Sequence, residues 1–293
     1  MQITLRQLEI FAAIHREGSI TRAARRIGLS QAATSQALAE LENQLQRRLF
    51  DRNGRRILSN AAGRELLPAA IQVLDRVRDI EAGAGDRPLD LKLCASLTVG
   101  NYMLPSPIAR FTRRHPSACF HVAVGNTDFV VASLRQFESD AGWVEGLARH
   151  PDLQAFPWRE DKLVIIAAPG HPLAGRGATP AALADSRWVL REKGSGTRAV
   201  FEDAIEGAFL LAHVPVELGG IGAVKRAVMC GAGLGCISRS AVEPELKAGQ
   251  LYLVHAPWLD LRRQITLLVH RQKYVDAGLR EFLEFCGVEL PVK

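Results

Sequence analysis

Between residues 5 and 45 apolar positions recur at helical spacing, and glycine interrupts them twice. Leu5, Leu8, Phe11, Ala12 and Ile14 share one face of a first helix, which Gly18 ends. Ser19 can cap a second helix whose inward face is Ile20, Ala23, Ala24 and Ile27. Gly28 supplies a left-handed stop, Leu29 plugs the core and Ser30 caps a third helix. In that helix Ala33, Ala37, Leu38, Leu41 and Leu45 are expected to face inward. Two short helices about a tight turn over residues 17–49 are the layout of a helix-turn-helix, which sets its second helix in the major groove of DNA. With the capping Ser30, the residues Gln31, Ala32, Thr34, Ser35 and Gln36 form the expected reading head. First-turn side chains reach base edges there, and Gln can read adenine through two hydrogen bonds.

The pattern then changes period. Asn53-Gly54 between two short apolar stretches predicts a hairpin, and Arg52, Arg55 and Arg56 would make it a basic wing against phosphate. Ser59 or Asn60 caps a long helix running to about residue 84. Leu66, Ala70, Val73, Val77, Ile80 and Ala84 step along it by four and three, the spacing of a coiled-coil seam. Leu67, Ile71 and Leu74 widen that seam. A seam beside a DNA-binding module predicts a homodimer, because a two-fold dimer reads a pseudo-palindrome. Residues 83–88, Gly-Ala-Gly-Asp-Arg-Pro, read as a linker.

From Leu89 onward short β-rich runs alternate with helical patterns. Strands are expected at 91–95, 119–124, 140–144, 163–168, 187–190, 214–218, 234–238 and 265–270. Helices are expected near 103–114, 127–137, 197–209, 221–231 and 276–286. The alternation predicts an α/β architecture with largely parallel sheets, long enough for two lobes and a cleft. Ligands of such folds bind at strand carboxyl ends, beside helix N-termini. Three strand ends carry small polar groups suited to an anion: Ser96 with Thr98, Asn126 with Thr127, and the loop Ser195, Gly196, Thr197, Arg198. Ordinary helix capping is the competing explanation for each.

Charge sharpens the division. Residues 1–59 hold ten Arg and five acidic residues, so +5 of the chain's net +6 lies in the first fifth of its length. That is the footprint of a DNA-binding module joined to a nearly neutral partner. No apolar run is long enough for a membrane helix, and the N-terminus lacks a basic leader with an apolar core, so a cytoplasmic location is expected. The five cysteines (94, 119, 230, 236 and 286) form no C-x-x-C pair and no His stands at zinc-finger spacing, so neither a metal site nor a cofactor is expected. Cys230 and Cys236 flank a Gly-rich turn and are the pair to consider for redox sensing. Rival motifs fail. The 194–198 loop lacks the spacing of a phosphate loop. Gly231-Ala-Gly-Leu-Gly-Cys236 follows a helix and precedes a strand, the reverse of a dinucleotide fingerprint. No Ser sits in G-x-S-x-G, and no acid–base or nucleophilic set stands out, so no catalytic residue is assigned.

Together these stretches resemble the LysR-type transcriptional regulators. The similarity is dense over 5–14, 18–45 and 49–67, and looser over 104–116, 140–146, 163–174, 188–198 and 224–242. The resemblance implies a winged helix-turn-helix over 1–59, a dimerising linker helix and hinge over 60–88, and an effector domain over 89–293. That last part would be two-lobed and periplasmic-binding-protein-like (type 2), with one lobe from 89–162 plus 267–293 and the other from 163–266. It implies assembly as a homodimer or homotetramer on an inverted-repeat operator, and control of DNA binding or bending by a small effector in the cleft. The loop at 194–198 is similar to that of regulators of sulfur and carbon assimilation, which implies a small inorganic or carboxylate anion. The chain departs from the family at Ala32, where Pro is usual, and at Gln36, where Arg is frequent. It also places three glycines at Gly219, Gly220 and Gly222, where polar residues are more frequent.

The division of labour between head and wing is testable. Gln31→Ala is expected to reduce discrimination between operator and scrambled DNA by about 1–3 kcal/mol. Arg52→Ala is expected to weaken both DNAs alike and to lower the salt slope by about one. Binding titrations at several salt concentrations check this; identical behaviour of the two variants would remove the distinction.

Overall fold

The computed structural model describes residues 2–53, 56–82, 89–146, 150–208 and 212–290. Three helices open the chain: α1 (Leu5–Glu17), α2 (Ile20–Arg26) and α3 (Gln31–Leu45). Thr4 caps α1 in a reciprocal box with Gln7, and the side chains of Ser19 and Ser30 accept from Arg22 N and Ala33 N. Gly18 and Gly28 both hold positive φ, 57° and 69°, as the turns require. A hairpin follows, β1 (Phe50–Asn53) with β2 (Arg56–Ser59), in the register Phe50↔Ser59 to Asn53↔Arg56. The predicted turn residues Gly54 and Arg55 lie outside the described residues, as does the predicted linker 83–88. Asn60 caps α4 (Ala61–Ala82) by accepting from Gly63 N. Gly63 is needed there, because a Cβ would stand 2.2 Å from the Leu49 carbonyl oxygen.

Leu8, Ile10, Phe11, Ile14, Ala23, Leu38, Leu41, Leu49, Phe50, Ile57 and Leu67 form one core. Two phase differences separate it from the expectation. Leu5 is 45% exposed while Ile10 is buried, and Ala33 faces solvent while Thr34 is fully buried. On α4, Leu67, Ala70 and Leu74 pack into this core, whereas Val73 and Ile80 are 41% and 79% exposed. The broad apolar face of α4 therefore serves two surfaces: one is the chain's own module, the other is open.

The remaining strands are β3 (Asp90–Ser96), β4 (Cys119–Gly125), β5 (Ala141–Glu145), β6 (Leu153–Ala167), β7 (Arg187–Arg191), β8 (His213–Leu218), β9 (Leu234–Ser238), β10 (Tyr252–Val254) and β11 (Arg262–His270). Their hydrogen-bonded order is β4-β3-β5-β11-β6-β9-β7-β8, with β10 on β6. The helices are α5 (Pro105–Arg114), α6 (Thr127–Arg135), α7 (Pro180–Ala184), α8 (Gly196–Gly207), α9 (Ile221–Met229), α10 (Glu243–Lys247) and α11 (Ala277–Phe285). Among the described residues these elements enclose cores around Phe111, Trp143 and Phe282, around Cys94, Val130 and Leu134, around Trp188, Leu190 and Phe201, and around Val189, Val224 and Ile237.

The sheet is mixed rather than largely parallel. β3, β4 and β5 run parallel, as do β7, β8 and β9, but β6 and β11 join these groups by antiparallel pairing. β6 is the physical link between the lobes. Its first part pairs with β11, from Leu153↔His270 to Lys162↔Arg262, and its last part pairs with β9 from Leu163↔Ser238. The family resemblance implies a return crossing near 266, whereas β11 is already paired with β5 at Ile265 and with β6 at Arg262.

Lobe 1 also docks on α4. Lys273, nearly buried, pairs with Asp75 of α4 at 2.6 Å and with Asp140 at 2.9 Å. Burial alone would depress this ammonium, but Asp140 and Asp75 outweigh it and hold its pKa above the ordinary lysine value. Tyr274 Oη donates to Asp79 at 2.6 Å. Phe137 joins the N-terminal core and lies against the His270 ring, with centroids 4.2 Å apart. No helix among the described residues is long and apolar enough to cross a membrane.

Candidate functional site

At the N-terminal end of α3 the side chains of Gln31, Ala32 and Gln36 are exposed and Ser35 is half-buried. Ser30 acts as the helix cap. Gln36 Nε2 donates to Glu40 at 3.0 Å, so Gln31 is the less constrained amide of the pair. Thr34 corrects the expectation. It is fully buried, and its hydroxyl donates to the Ser30 carbonyl oxygen at 2.9 Å. That bond satisfies the hydroxyl inside the module and takes it away from any base. Arg52 and Arg56 belong to β1 and β2, as the wing reading requires, although their side chains, like all of Arg55, lie outside the described residues.

The second site lies where the lobes meet. Strands β3, β4 and β7 end at Ser96, Gly125 and Arg191, each followed by a segment that starts a helical turn. Ser96 Oγ accepts from Val99 N, and Asn126 Oδ1 caps α6 by accepting from Phe129 N at 2.9 Å. The first residues of α6 and α8 approach one another. A Cβ on Gly196 would stand 2.9 Å from both Thr127 Oγ1 and the Glu145 carbonyl oxygen, so only glycine permits the approach. The buried Thr127 hydroxyl has no hydrogen-bond partner, and Ser195 does not cap its own helix. A buried hydroxyl left unpaired is costly unless something else meets it.

Sequence reasoning missed the centre of this site, which is Arg263. Its guanidinium is 1% exposed. Nε donates to Asp161 at 2.7 Å, one terminal nitrogen to Thr197 Oγ1 at 2.9 Å, and the other to Thr98 Oγ1 at 3.3 Å. Glu145 stands 3.9 Å away, and Ser238 Oγ donates to the second oxygen of Asp161 at 2.9 Å. One cation thus holds a hydroxyl from each lobe. Sequence could not distinguish it from its neighbour: Arg262 is 77% exposed and pairs with Asp260. Asp161 and Glu145 were equally silent: each is an acid within a strand, and Asp161 follows another, Glu160.

Arg198 does not join the others. Its guanidinium is committed to Glu202 at 2.7 Å, to Glu217, and to the Arg191 carbonyl oxygen at 3.0 Å. Burial opposes its charge, but Glu202 and Glu217 hold its pKa above the ordinary arginine value. It therefore braces lobe 2. Glu192 forms a two-pronged bond with buried Arg191, 2.7 Å on each arm, and also meets Asn126 of lobe 1. Burial raises the Glu192 pKa, yet the Arg191 bonds outweigh it and leave it lowered.

All five cysteines are free thiols. Cys236 is buried in β9 and Cys230 is exposed beyond α9. Burial pushes the thiols of Cys94, Cys236 and Cys286 up to about 12, which leaves them protonated and inert.

Arg263→Ala is expected to cost about 3–5 kcal/mol of folding stability, because it leaves the buried Asp161 without its cation. Denaturant unfolding measures this. A loss below 1 kcal/mol would mean that the pair is solvated and does not hold the lobes.

Two family models match the chain, each over one of the parts described. The model for "Bacterial regulatory helix-turn-helix protein, lysR family" covers residues 5–64, and that for "LysR substrate binding domain" covers residues 86–290. The Escherichia coli "Uncharacterized HTH-type transcriptional regulator YeiE" is 41% identical over 291 residues, covering 98% of each chain. Full-length OxyR from Pseudomonas aeruginosa superposes with a TM-score of 0.78 at 22% identity, over 98% of this chain and 94% of that one. The regulatory domain of CcmR from Synechocystis, in complex with 2-PG, gives 0.63 at 26% identity over 67% of this chain and 95% of that one. The helix-turn-helix, the two crossing strands and the cleft therefore have one explanation: this chain belongs to the LysR-type transcriptional regulators.

Proposed function

We propose that the chain binds an inverted-repeat operator as a two-fold dimer, and that a small anion entering between Thr98 and Thr197 alters how that DNA is held. The cleft binds and does not turn its ligand over. The carrying observation is that one buried guanidinium, Arg263, bonds the hydroxyls of Thr98 and Thr197 at once. An anion that competes for this cation, or that takes the free Thr127 hydroxyl and the uncapped first turn of α8, would change the bonds across the cleft. CcmR, a relative in fold and at 26% identity, holds 2-PG in its regulatory domain, and this favours the same class of ligand here.

The signal has a physical route. Strand β11 carries Arg263 near one end, and Lys273 and Tyr274 follow its other end against α4. A strand of nine residues spans about 30 Å. A shift at Arg263 is thus delivered by a rigid element to Asp75 and Asp79 of the linker helix. The exposed Val73 and Ile80, one heptad apart on α4, are the surface we assign to the dimer.

A thermal-shift screen with sulfate, phosphate and 2-PG is expected to find a ligand that raises the wild-type melting temperature, since binding only the native state stabilises it. Thr98→Val and Thr197→Val should each lose that shift while retaining operator binding. Undiminished ligand affinity in calorimetry for both variants would rule out this cleft. Separately, Val73→Glu with Ile80→Glu should reduce the sedimenting mass and weaken operator binding by at least tenfold. An unchanged mass would assign the dimer to another surface.

A further inference from the structure

Among the described residues, one group outside the cleft has the chemistry of a metal site: Asp90, Cys119 and His121. Asp90 opens β3 and Cys119 opens β4, and they are direct partners in the parallel register. His121 lies two residues along β4, so it shares a face with Cys119. The alternating residues Leu91, Leu93, Phe120 and Val122 turn to the lobe 1 core, which leaves all three polar side chains on the opposite face. β4 is the terminal strand of the sheet order, so no further strand among the described residues covers it on that side.

We infer that this cluster binds a divalent ion of the zinc class. Three observations carry the inference. First, the donors form a thiol, imidazole and carboxylate set, which are the ligands zinc accepts. Thiolate and carboxylate together neutralise the two charges of the ion, and the thiol proton leaves to solvent on binding. Second, the donor atoms lie together, all within 4.8 Å of one another. Cys119 Sγ lies 3.5 Å from His121 Nε2, and that same nitrogen lies 3.3 Å from Asp90 Oδ1. With bonds of about 2.3 Å to sulfur and about 2.0–2.2 Å to nitrogen and oxygen, a tetrahedral ion holds nitrogen and oxygen about 3.3–3.6 Å apart and sulfur about 3.5–3.7 Å from either. The two separations from His121 Nε2 are those of adjacent corners. Third, the geometry is not that of a nucleophile relay. In a relay the thiol and the carboxylate engage opposite ring nitrogens, so that one accepts a proton while the other is oriented. Here both approach Nε2.

The site supplies three ligands and is exposed, so water completes the fourth corner. Its place in the chain gives it a consequence. Asp90 is the first residue of the effector domain's first strand. An ion there clips the start of β3 to the start of β4, close to where the chain leaves the linker. This does not depend on the effector cleft, whose residues it does not share.

The test uses the full-length chain without a histidine tag. Zinc titration in a calorimeter is expected to give one equivalent at micromolar metal. Cobalt(II) in its place should show the thiolate-to-metal charge-transfer absorption of a cysteine ligand. Cys119→Ser should abolish that absorption, and Cys119→Ser and His121→Ala should each weaken zinc on the order of tenfold or more, with a smaller loss for Asp90→Asn. All three side chains are exposed, and circular dichroism will verify that each variant is folded. Cys230→Ser, at the other exposed cysteine, should change nothing. Persistence of the cobalt band in Cys119→Ser, its loss in Cys230→Ser, or uptake only at millimolar metal would overturn the assignment.

Discussion

The ion pair between Arg263 and Asp161 is the constraint on which the rest of the effector domain depends. The two residues face each other directly in the register of β11 and β6, the strands that connect the lobes. Removing a guanidinium and a carboxylate from water costs several kcal/mol for each ion. The cost is offset only where both are held close and their remaining hydrogen-bonding groups are met. Thr98, Thr197 and Ser238 meet them, and these residues come from both lobes. The pair therefore tolerates few arrangements of the lobes. An apolar hinge would tolerate many, because apolar contact has no direction.

A constraint of this kind suits a receiver of ligands. Bonds from one cation to two lobes are few and directional, so a competing anion has specific partners to displace. A packed apolar interface of the same size would offer none. The same strand then ends at a second buried ion pair, Lys273 with Asp75 and Asp140, which fastens lobe 1 to α4. Both ends of β11 are thus held by charge, and the strand between them is buried from Ile265 to His270. Such an element transmits a displacement along its length better than it absorbs one.

Local signals were legible in the sequence, and long-range ones were not. Caps, glycine turns and the Asn53-Gly54 hairpin depend on neighbours a few residues away, and Ser19, Ser30, Asn60 and Gly18 all act as their residue types dictate. The eight expected strands all exist, but the first half of β6 was missed. Its residues Leu153–Lys162 mix Pro, Trp and charges, and only alternate ones, Phe156 and Trp158 among them, pack against the core. β10 was too short to have a period. Thr34 misled for a local reason: its hydroxyl satisfied itself on Ser30, so a polar residue occupied an apolar position. The polar strand ends at Ser96, Thr98, Asn126, Thr127 and Ser195 could be read as places, but Arg263, which bonds Thr98 and Thr197, could not. Nothing within ten residues of Arg263 announces Thr98, and only the fold brings them together.

The metal-ligand cluster was hidden in the same way, and for a reason that extends to other chains. Familiar zinc signatures place two ligands close in sequence on a turn or a helix. Here Cys119 and His121 are two apart on a strand, a spacing that brings them to one face only if the segment is extended, and Asp90 arrives from the neighbouring strand. The cysteine spacings show the absence of C-x-x-C and finger patterns, and they carry no sign that an imidazole stands beside Cys119. Burial separates the five. Three are sealed in cores with thiols held protonated, which leaves Cys119 and Cys230 exposed. Of these two, only Cys119 belongs to a cluster of possible ligands among the described residues. The exposure of each thiol is therefore decided by the fold that places it, on a strand for Cys94, Cys119 and Cys236 and at a helix end for Cys230 and Cys286, and the spacing of cysteines along the sequence carries little of that information.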